Sequence, residues 1–340
     1  MIVYFHPDTS LHDPAEPHRF GGVLLPPAEN ASRSTRILGA LSESGGFEVR
    51  RPDALDPDNL LLVHDRDYLD FLRSAHSRWR EATGAPSSGE AVAYIRPLPG
   101  TPWRSPNHVD AQLGVYSNDV DPILEGTWKA SLSSAACSVA ASRAVHDGER
   151  VAYALSRPPG HHAARATFGG YCYLNNTALA AAWLAERGVR VAVLDVDTHH
   201  GNGTQSVFWT RGDVLTVSIH GDPEVHFPFF TGFADETGDG DGAGANLNLP
   251  LATGATWVRY RPAIDRALAT VDSFGAEVLV LALGVDTHRS DGVLRLEDEN
   301  YPMLGDALRT GLPTVVVQEG GYGEGVLEKA IPAVLSALDR

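Results

Sequence analysis

Two short runs of apolar residues, each followed by acidic residues, constrain the fold of this chain most strongly. Residues 191–194 are all apolar and lead directly into Asp195, and residues 278–283 repeat the pattern ahead of Asp286. A short, continuous apolar run bounded by polar residues is typical of a strand buried on both faces of a parallel sheet. Because ligands bind at the carboxyl ends of such strands, the pattern predicts a functional site there.

The polar residues after these runs are of the types that bind metal ions. Side chains alternate along an extended chain, so Asp195, Asp197 and His199 can point in one direction. Two aspartates and one histidine, with Asp286 of the second strand as one of the two aspartates, would make a three-ligand site with a fourth position open, which suits catalytic zinc. The alternative interpretation is a solvated turn capped by aspartates. The second imidazole, His200, and the distant strand-end carboxylate favour the metal site.

The composition argues against several classes of partner. The chain has 340 residues, with 27 basic and 43 acidic side chains and a formal net charge of −16, which disfavours nucleic acid and anionic membranes as main partners. The sequence has no apolar stretch near the roughly 20 residues of a membrane helix and no signal-peptide pattern at its start. Its two cysteines, Cys137 and Cys172, cannot form a disulfide framework or a cysteine-rich zinc site. These features predict a cytoplasmic protein.

Strands and helices alternate along the chain after residue 125. The predicted strands are 151–156, 190–197, 214–219, 277–286 and 314–318, and the predicted helices are 127–146, 174–187, 256–273, 296–310 and 325–338. This alternation predicts right-handed crossovers and an α/β fold with helices on both faces of a parallel sheet. We expect a single domain over residues 1–340, because no linker or internal repeat divides the chain.

The amino-terminal part is less regular. It predicts strands at 1–5 and 47–50 and a helix at 66–82. A stretch rich in glycine, proline and serine follows at about 83–126. A loop of that length within a compact domain is usually functional or part of an interface.

Two further motifs with catalytic residue types follow predicted strands. The segment 157–162 ends in His161 and His162, and histidine is the usual general acid or base near neutral pH. The segment 318–323 contains paired glycines, which let the backbone approach a ligand, and Tyr322, whose hydroxyl could donate to an oxyanion. Alone, the histidine pair would be a weak signal and the glycine motif a surface turn. Their place beside the candidate metal strands favours a shared site.

Together these motifs resemble the zinc-dependent histone deacetylase superfamily. The matching segments are 157–162, 169–176, 195–205 and 319–322. A stretch with Gly21-Gly22 and Pro26-Pro27, and the segment 218–223, are more similar to the bacterial acetylpolyamine amidohydrolases of that superfamily. The resemblance implies the arginase/deacetylase fold, a central parallel sheet of about eight strands with helices on both faces.

The resemblance also implies the catalytic machinery. Zinc would be bound by Asp197, His199 and Asp286. The other catalytic residues would move a proton, orient a histidine or hold the oxyanion, and they are His161, His162, Asp195, Asn202 and Tyr322. In that scheme His162 takes the proton of the attacking water and then protonates the leaving amine. The uncharged Asn202 would help to keep His162 neutral, and Asp195 would orient His161.

Further sites follow from the same resemblance. Gly170, Tyr171 and Phe227 would line a narrow tunnel for the acyl-amine, and Gly320 would lie beside the substrate. Two structural potassium sites are implied, one formed at Asp195, Asp197, His199 and Ser218 and the other at Phe208, Arg211 and Val214.

The expected substrate is a small acetylated amine. Asp110 and Asp121 lie where the polyamine enzymes have glutamates that meet the distal ammonium, and the loop at 83–126 would narrow the tunnel mouth at a homodimer interface. The alternative is that both aspartates are ordinary surface charges. His288 and Arg289 replace an aromatic residue and an acid of polyamine-type relatives, and a cationic Arg289 at the rim would repel a polyamine.

Other functions stay open from the sequence. The substrate could instead be protein acetyl-lysine or an acetylated biosynthetic intermediate. An arginase-like dimanganese hydrolase shares the fold, but the segment after Asp286 has no aspartate two residues on. A non-catalytic sensor of acetylated amines is disfavoured, because the ligands, both histidines and Tyr322 are all present.

Overall fold

The computed structural model describes residues 1–20, 22–100, 102, 104 and 106–340, so Gly21 of the predicted amino-terminal motif lies outside the described residues. The strands are β1 (Ile2–Tyr4), β2 (His18–Phe20), β3 (Val23–Leu25), β4 (Glu48–Arg50), β5 (Val151–Ala154), β6 (Val191–Asp195), β7 (Val214–Gly221), β8 (Asn246–Leu251), β9 (Val278–Leu283) and β10 (Thr314–Gln318). β2 and β3 form an antiparallel hairpin, and the others form one 8-stranded sheet in the order β4-β1-β5-β10-β9-β6-β7-β8. All its neighbouring strands run parallel, which confirms the predicted sheet.

Helices cover both faces of this sheet. They are α1 (Ser32–Ser44), α2 (Arg66–Thr83), α3 (Val109–Tyr116), α4 (Thr127–His146), α5 (Asn176–Ala185), α6 (Asn202–Phe208), α7 (Trp257–Phe274), α8 (Asn300–Leu308) and α9 (Val326–Leu338). Buried residues of α2, α4 and α5 belong to one apolar core, and those of α1, α7, α8 and α9 belong to a second. Within the described residues, no helix is long and apolar enough to span a bilayer.

Alternate residues of the central strands enter these two cores. In β6, Val191 and Val193 belong to the core under α4 and α5, whereas Ala192 and Leu194 belong to the core under α7 to α9. Successive side chains of a strand point to opposite faces, so a strand covered on both faces is apolar throughout. This burial explains the continuous apolar runs in the sequence.

The predicted strands 190–197 and 277–286 are too long at their carboxyl ends. β6 ends at Asp195 and β9 at Leu283. Beyond β6 the N–H of Asp197 donates to the Asp195 carboxylate at 3.0 Å instead of pairing within a strand. The polar residues therefore lie in loops above the sheet edge rather than in the strands.

Several elements are missing from the sequence prediction. α3 lies inside the stretch predicted as a loop at 83–126, and it is only 8 residues long with an irregular apolar pattern. β8 lies at the sheet edge and contains Pro250, a residue that argues against a strand except at an edge. α1, α6 and the β2–β3 hairpin are also absent from the prediction. The buried residues of α1 and α6 include polar side chains and glycine, such as Arg33 and Gln205, so these helices lack a clear apolar period.

Candidate active site

Two neighbouring strands bring the three candidate metal ligands together. β6 and β9 are paired with Asp195 beside Ala282, so the loops that follow them meet above the sheet. The ligand atoms of Asp197, His199 and Asp286 all lie within 4.8 Å of one another. The backbone holds this group, because the N–H of Thr198 donates to the Asp286 carboxylate at 2.8 Å.

The electrostatics of this group fit a divalent cation. Asp197 and Asp286 are both buried, and burial together with the charge of Asp197 raises the pKa of Asp286 to about 7. Burial alone would lower the pKa of His199, but the two carboxylates raise it to about 10. Two buried carboxylates thus create a field that holds a positive charge, and a metal ion would satisfy it.

Glycines leave room around the ligand oxygens. A Cβ on Gly284 would lie 1.9 Å from Oδ2 of Asp197, and one on Gly320 would lie 2.5 Å from Oδ2 of Asp286. The N–H of Gly320 donates to Oδ2 of Asp197 at 2.8 Å. Gly320 therefore supports a ligand, and its predicted place beside the substrate stays a prediction. The nitrogen and oxygen donors, the open side and this cradle fit a zinc-type site.

The tandem histidines lie beside the ligands, and each has its own partner. Nδ1 of His161 lies 2.8 Å from the Asp195 carboxylate, and Nδ1 of His162 lies 2.7 Å from the amide oxygen of Asn202. Burial opposes a charge on His161, but Asp195 and Asp197 raise its pKa well above the usual value. Burial and the neighbouring His161 and His199 lower the pKa of His162 well below the usual value. One histidine is thus favoured as a cation and the other as a neutral base.

Glu319 anchors the backbone of the histidine loop, a role that sequence reasoning missed. Its Oε2 accepts from the N–H of Gly160 at 2.7 Å and from that of His161 at 3.1 Å. Its Oε1 accepts from the hydroxyl of Thr177 at 2.7 Å. Glu319 directly follows β10 and precedes Tyr322, so it links the loop of the tandem histidines with the loop of Tyr322.

Tyr322 is held by residues from distant parts of the chain. Its N–H donates to the Asp291 carboxylate at 3.1 Å, and the Arg33 guanidinium lies 4.8 Å from the centre of its ring. Arg33 also donates to the carbonyl oxygens of Glu319 and Gly321, at 2.7 and 3.1 Å. Burial raises the pKa of Tyr322 well above the usual value, so its hydroxyl keeps its proton.

A buried ion cluster supports Arg33. Glu29 pairs with Nη1 of Arg33 and, at 2.8 Å, with Nε of Arg157. The side chains of all three residues are at most 3% exposed. Glu29 and Arg33 are only four residues apart, but such a pair alone does not indicate a buried cluster, and Arg157 and Glu319, which complete it, lie far along the chain.

These groups open on one cavity of about 380 Å³, which we call the strand-end cavity. Its lining consists of Asp119, Pro159, His161, His162, Gly170, Tyr171, Asp197, His199, Phe227, Phe229, Asp286 and Tyr322. The ring of Phe227 meets the ring of His162 edge-on, with 4.9 Å between ring centres. The predicted tunnel residues Gly170, Tyr171 and Phe227 therefore share one cavity with the ligands and the histidines.

The structure corrects the predicted positions of the acidic residues. Asp121 is fully buried, and its carboxylate accepts from the N–H of Tyr171 at 2.7 Å instead of facing a substrate. Asp110 lies outside the described cavity lining and accepts from the hydroxyl of Tyr94 at 3.3 Å. Asp119 lines the cavity instead. The segment after α3 pairs with residue 168, and this path decides which aspartate faces the cavity.

His288 and Arg289 also lie elsewhere than predicted. They line a separate cavity of about 190 Å³. Arg289 pairs with Glu297 at 3.1 Å, and its N–H donates to the carbonyl of Leu296 at 3.0 Å. Neither residue belongs to the described lining of the strand-end cavity.

The residues of the implied potassium sites fall into two places. Asp195 and Ser218 are paired neighbours on β6 and β7, and both line a small cavity of about 10 Å³ with other polar residues such as Gln205 and Asn248. The second set lies around the loop from α6 to β7, where the N–H of Arg211 donates to the carbonyl of Phe208 at 2.9 Å and Val214 begins β7.

Comparisons with known proteins agree with this geometry. The histone deacetylase domain model matches residues 27–338. The acetylpolyamine amidohydrolase of Mycoplana ramosa is 42% identical over 328 residues, which cover 95% of each chain. Acetylpolyamine amidohydrolase 1 of Pseudomonas aeruginosa is 42% identical over 331 residues, covering 95% of this chain and 94% of the relative. A crystal structure of acetylpolyamine aminohydrolase from Burkholderia pseudomallei matches with a TM-score of 0.92 and 41% identity, over 99% of this chain and 98% of that one.

Proposed function

Because this chain belongs to the histone deacetylase family, we propose that it is a zinc-dependent amidohydrolase that removes the acetyl group from small acetylated amines of the polyamine type. One observation carries the proposal: the three ligands, a neutral histidine base and a protonated tyrosine all line the strand-end cavity. Each of these groups serves a separate need of amide hydrolysis.

Asp197, His199 and Asp286 would hold the zinc ion. Bound there, zinc supplies Lewis acidity for the acetamide carbonyl and lowers the pKa of a water molecule. The open cavity beside the three ligands gives the substrate carbonyl access to that position.

His162 moves the protons of the reaction. An amide oxygen only accepts, so the contact with Asn202 places the proton of neutral His162 on Nδ1 and leaves Nε2 free as the base. The depressed pKa of His162 keeps this atom unprotonated at neutral pH. After taking the water proton, His162 gives it to the leaving amine.

Tyr322 stabilises the oxyanion, and His161 controls the charge of His162. The hydroxyl of Tyr322 donates to the oxygen that becomes negative as water adds. His161 is held by Asp195 as a cation next to His162, so it favours the neutral form of that base. Acetate and the free amine are the products.

Asp119 supports the choice of a cationic substrate. Apart from the metal ligands, it is the only carboxylate in the described lining of the strand-end cavity. The chain as a whole carries a net charge of −16, which favours the approach of cations. The relatives named above as acetylpolyamine amidohydrolases fit this preference. An ammonium at the far end of an acetylated diamine would pair with Asp119.

We further propose that the chain forms a homodimer through the segment at about 83–126. Tyr94, Ile95 and Leu98 of this segment are 76%, 54% and 73% exposed. Large exposed apolar side chains are typical of interfaces between proteins. Light scattering should give twice the 36.4 kDa chain mass, and a monomer would contradict the proposal.

The two potassium sites also remain proposals, for Asp195, Asp197, His199 and Ser218, and for Phe208, Arg211 and Val214. The small polar cavity beside Asp195 and Ser218 supports the first. Exchange of K⁺ for a large organic cation in the buffer should lower the melting temperature. An unchanged melting temperature and activity would contradict both sites.

A substrate panel tests the proposed function. It compares acetylated diamines, an acetyl-lysine peptide and acetylated monoamines by the acetate released. We expect the diamines to have the highest kcat/KM, with activity lost in a chelator and restored by zinc. If the peptide is the best substrate, the protein-deacetylase alternative replaces the small-amine proposal. If no acetylated amine is hydrolysed, the deacetylase assignment fails.

A further inference from the structure

Asp121 is a buried carboxyl group that the proposed reaction does not use. Its side chain is fully buried and lies outside the described lining of the strand-end cavity. Oδ2 accepts from the N–H of Tyr171 at 2.7 Å. Burial, with the nearby charge of Asp119, raises the pKa of Asp121 well above the usual value.

The partner of Asp121 lies in a tight turn with an unusual residue. Gly169 and Cys172 exchange two backbone hydrogen bonds of 3.0 Å, and the two residues between them, Gly170 and Tyr171, have φ of 58° and 67°. Positive φ at both central positions is the type I′ turn, which favours glycine and asparagine. A tyrosine at this position is strained and persists only when its surroundings hold it.

This turn contacts two groups that carry the chemistry. A Cβ on Gly170 would lie 2.3 Å from Cδ2 of His162, so the turn backbone packs directly against the imidazole ring. The ring of Tyr171 lies 5.6 Å from the ring of Tyr322, centre to centre, in an edge contact. A shift of the turn would therefore displace both His162 and Tyr322, between which the acyl group is proposed to bind.

We infer that Asp121 is a positioning residue that holds the Gly170–Tyr171 turn against His162 and Tyr322 through its hydrogen bond to the backbone of Tyr171. The inference rests on the function proposed above, because the turn matters through the residues that perform it. Asp121 acts through its acceptor oxygen and not through charge. Its neighbour Asp119 differs in position, because Asp119 lines the strand-end cavity and Asp121 does not.

Two substitutions distinguish a role of Asp121 as a hydrogen-bond acceptor from a role of its charge. Asp121→Asn keeps the shape and an acceptor oxygen, whereas Asp121→Ala removes the acceptor and leaves the N–H of Tyr171 unpaired. Asp70→Ala is the matched control, because Asp70 is more than half exposed on α2 and its carboxylate pairs with the exposed Arg73. Each variant is purified with its metal. Amide hydrogen exchange is measured over residues 169–173, and kcat and KM are measured for an acetylated diamine.

We expect Asp121→Ala to exchange faster over residues 169–173 and to lose between about tenfold and about a hundredfold in kcat/KM, since small displacements of catalytic groups are costly. Asp121→Asn should restore slow exchange and most of kcat/KM. Asp70→Ala should match the parent in both measurements. If Asp121→Ala does not fold, Asp121→Val fills more of the space without an acceptor and takes its place.

Two results would overturn the inference. The first is an Asp121→Asn variant as impaired as Asp121→Ala, which would show that the charge acts directly. The second is unchanged exchange over residues 169–173 when the acceptor is removed. Exchange is independent of the reaction, so a parent enzyme that hydrolyses no acetylated amine would defeat the proposed function and leave this measurement decisive for Asp121.

Discussion

The amide oxygen of Asn202 lies 2.7 Å from Nδ1 of His162, and this uncharged acceptor places the proton of the neutral base on Nδ1. Burial and the neighbours His161 and His199 lower the pKa of His162, and Asn202 adds no negative charge to oppose them. The base is therefore neutral and able to accept a proton at neutral pH.

Asn202→Asp should raise the pKa of His162, because a carboxylate beside Nδ1 favours the imidazolium form. A base must be unprotonated to accept a proton, so the acidic limb of the kcat/KM profile should move to higher pH. The measurement is kcat/KM against pH for the parent and the variant. A limb that stays in place would show that His162 is not the group that limits activity in acid.

Tyr322→Phe should keep the fold and the metal but lower kcat by about 10²–10³, because only the donor to the oxyanion is removed. Kinetics at saturating substrate measure this loss, and metal analysis checks that the ion is retained. An unchanged kcat would exclude Tyr322 as the donor.

Glu29→Gln should destabilise the fold by about 3–5 kcal/mol, because Arg33 and Arg157 would remain buried without their counter-ion. Urea denaturation followed by circular dichroism measures the change. Glu48→Gln is the control, since Glu48 pairs with Arg50 at the surface and should matter little. Equal effects of the two substitutions would contradict the importance of the buried cluster.

Asp119→Asn should lower kcat/KM for an acetylated diamine but not for an acetylated monoamine of the same length, which lacks the distal ammonium. Salt should weaken the parent's preference for the diamine, since it screens partly exposed charges, and should affect the variant less. The two substrates are compared at low and high ionic strength. If kcat/KM falls equally for both substrates in the variant, Asp119 does not interact with the distal ammonium of the substrate.

The site could be predicted from the sequence where neighbouring residues determine it. Asp197, His199 and Asp286 follow apolar strands. The carboxyl ends of the strands of a parallel sheet lie at one edge, independently of the conformation of the loops. The partners of His161 and His162, Asp195 and Asn202, were implied by the family resemblance and not by the local pattern. The local pattern was sufficient for the three candidate metal ligands.

The positions of residues on long segments could not be predicted in the same way. Asp119, Asp121 and Arg289 are placed by loop paths that depend on tertiary backbone pairing, such as that of residue 117 with residue 168. The cluster around Glu29 joins residues far apart along the chain and leaves no periodic signal. Those contacts depend on the complete fold.

Metal content and acetate release, measured together on the parent and on Asp286→Ala, test the central claim most directly. The account predicts one zinc ion per parent chain, hydrolysis of an acetylated diamine that stops when the zinc is chelated, and loss of both zinc and activity in Asp286→Ala. Hydrolysis that continues without metal, or an Asp286→Ala variant with full zinc content and full activity, would contradict it.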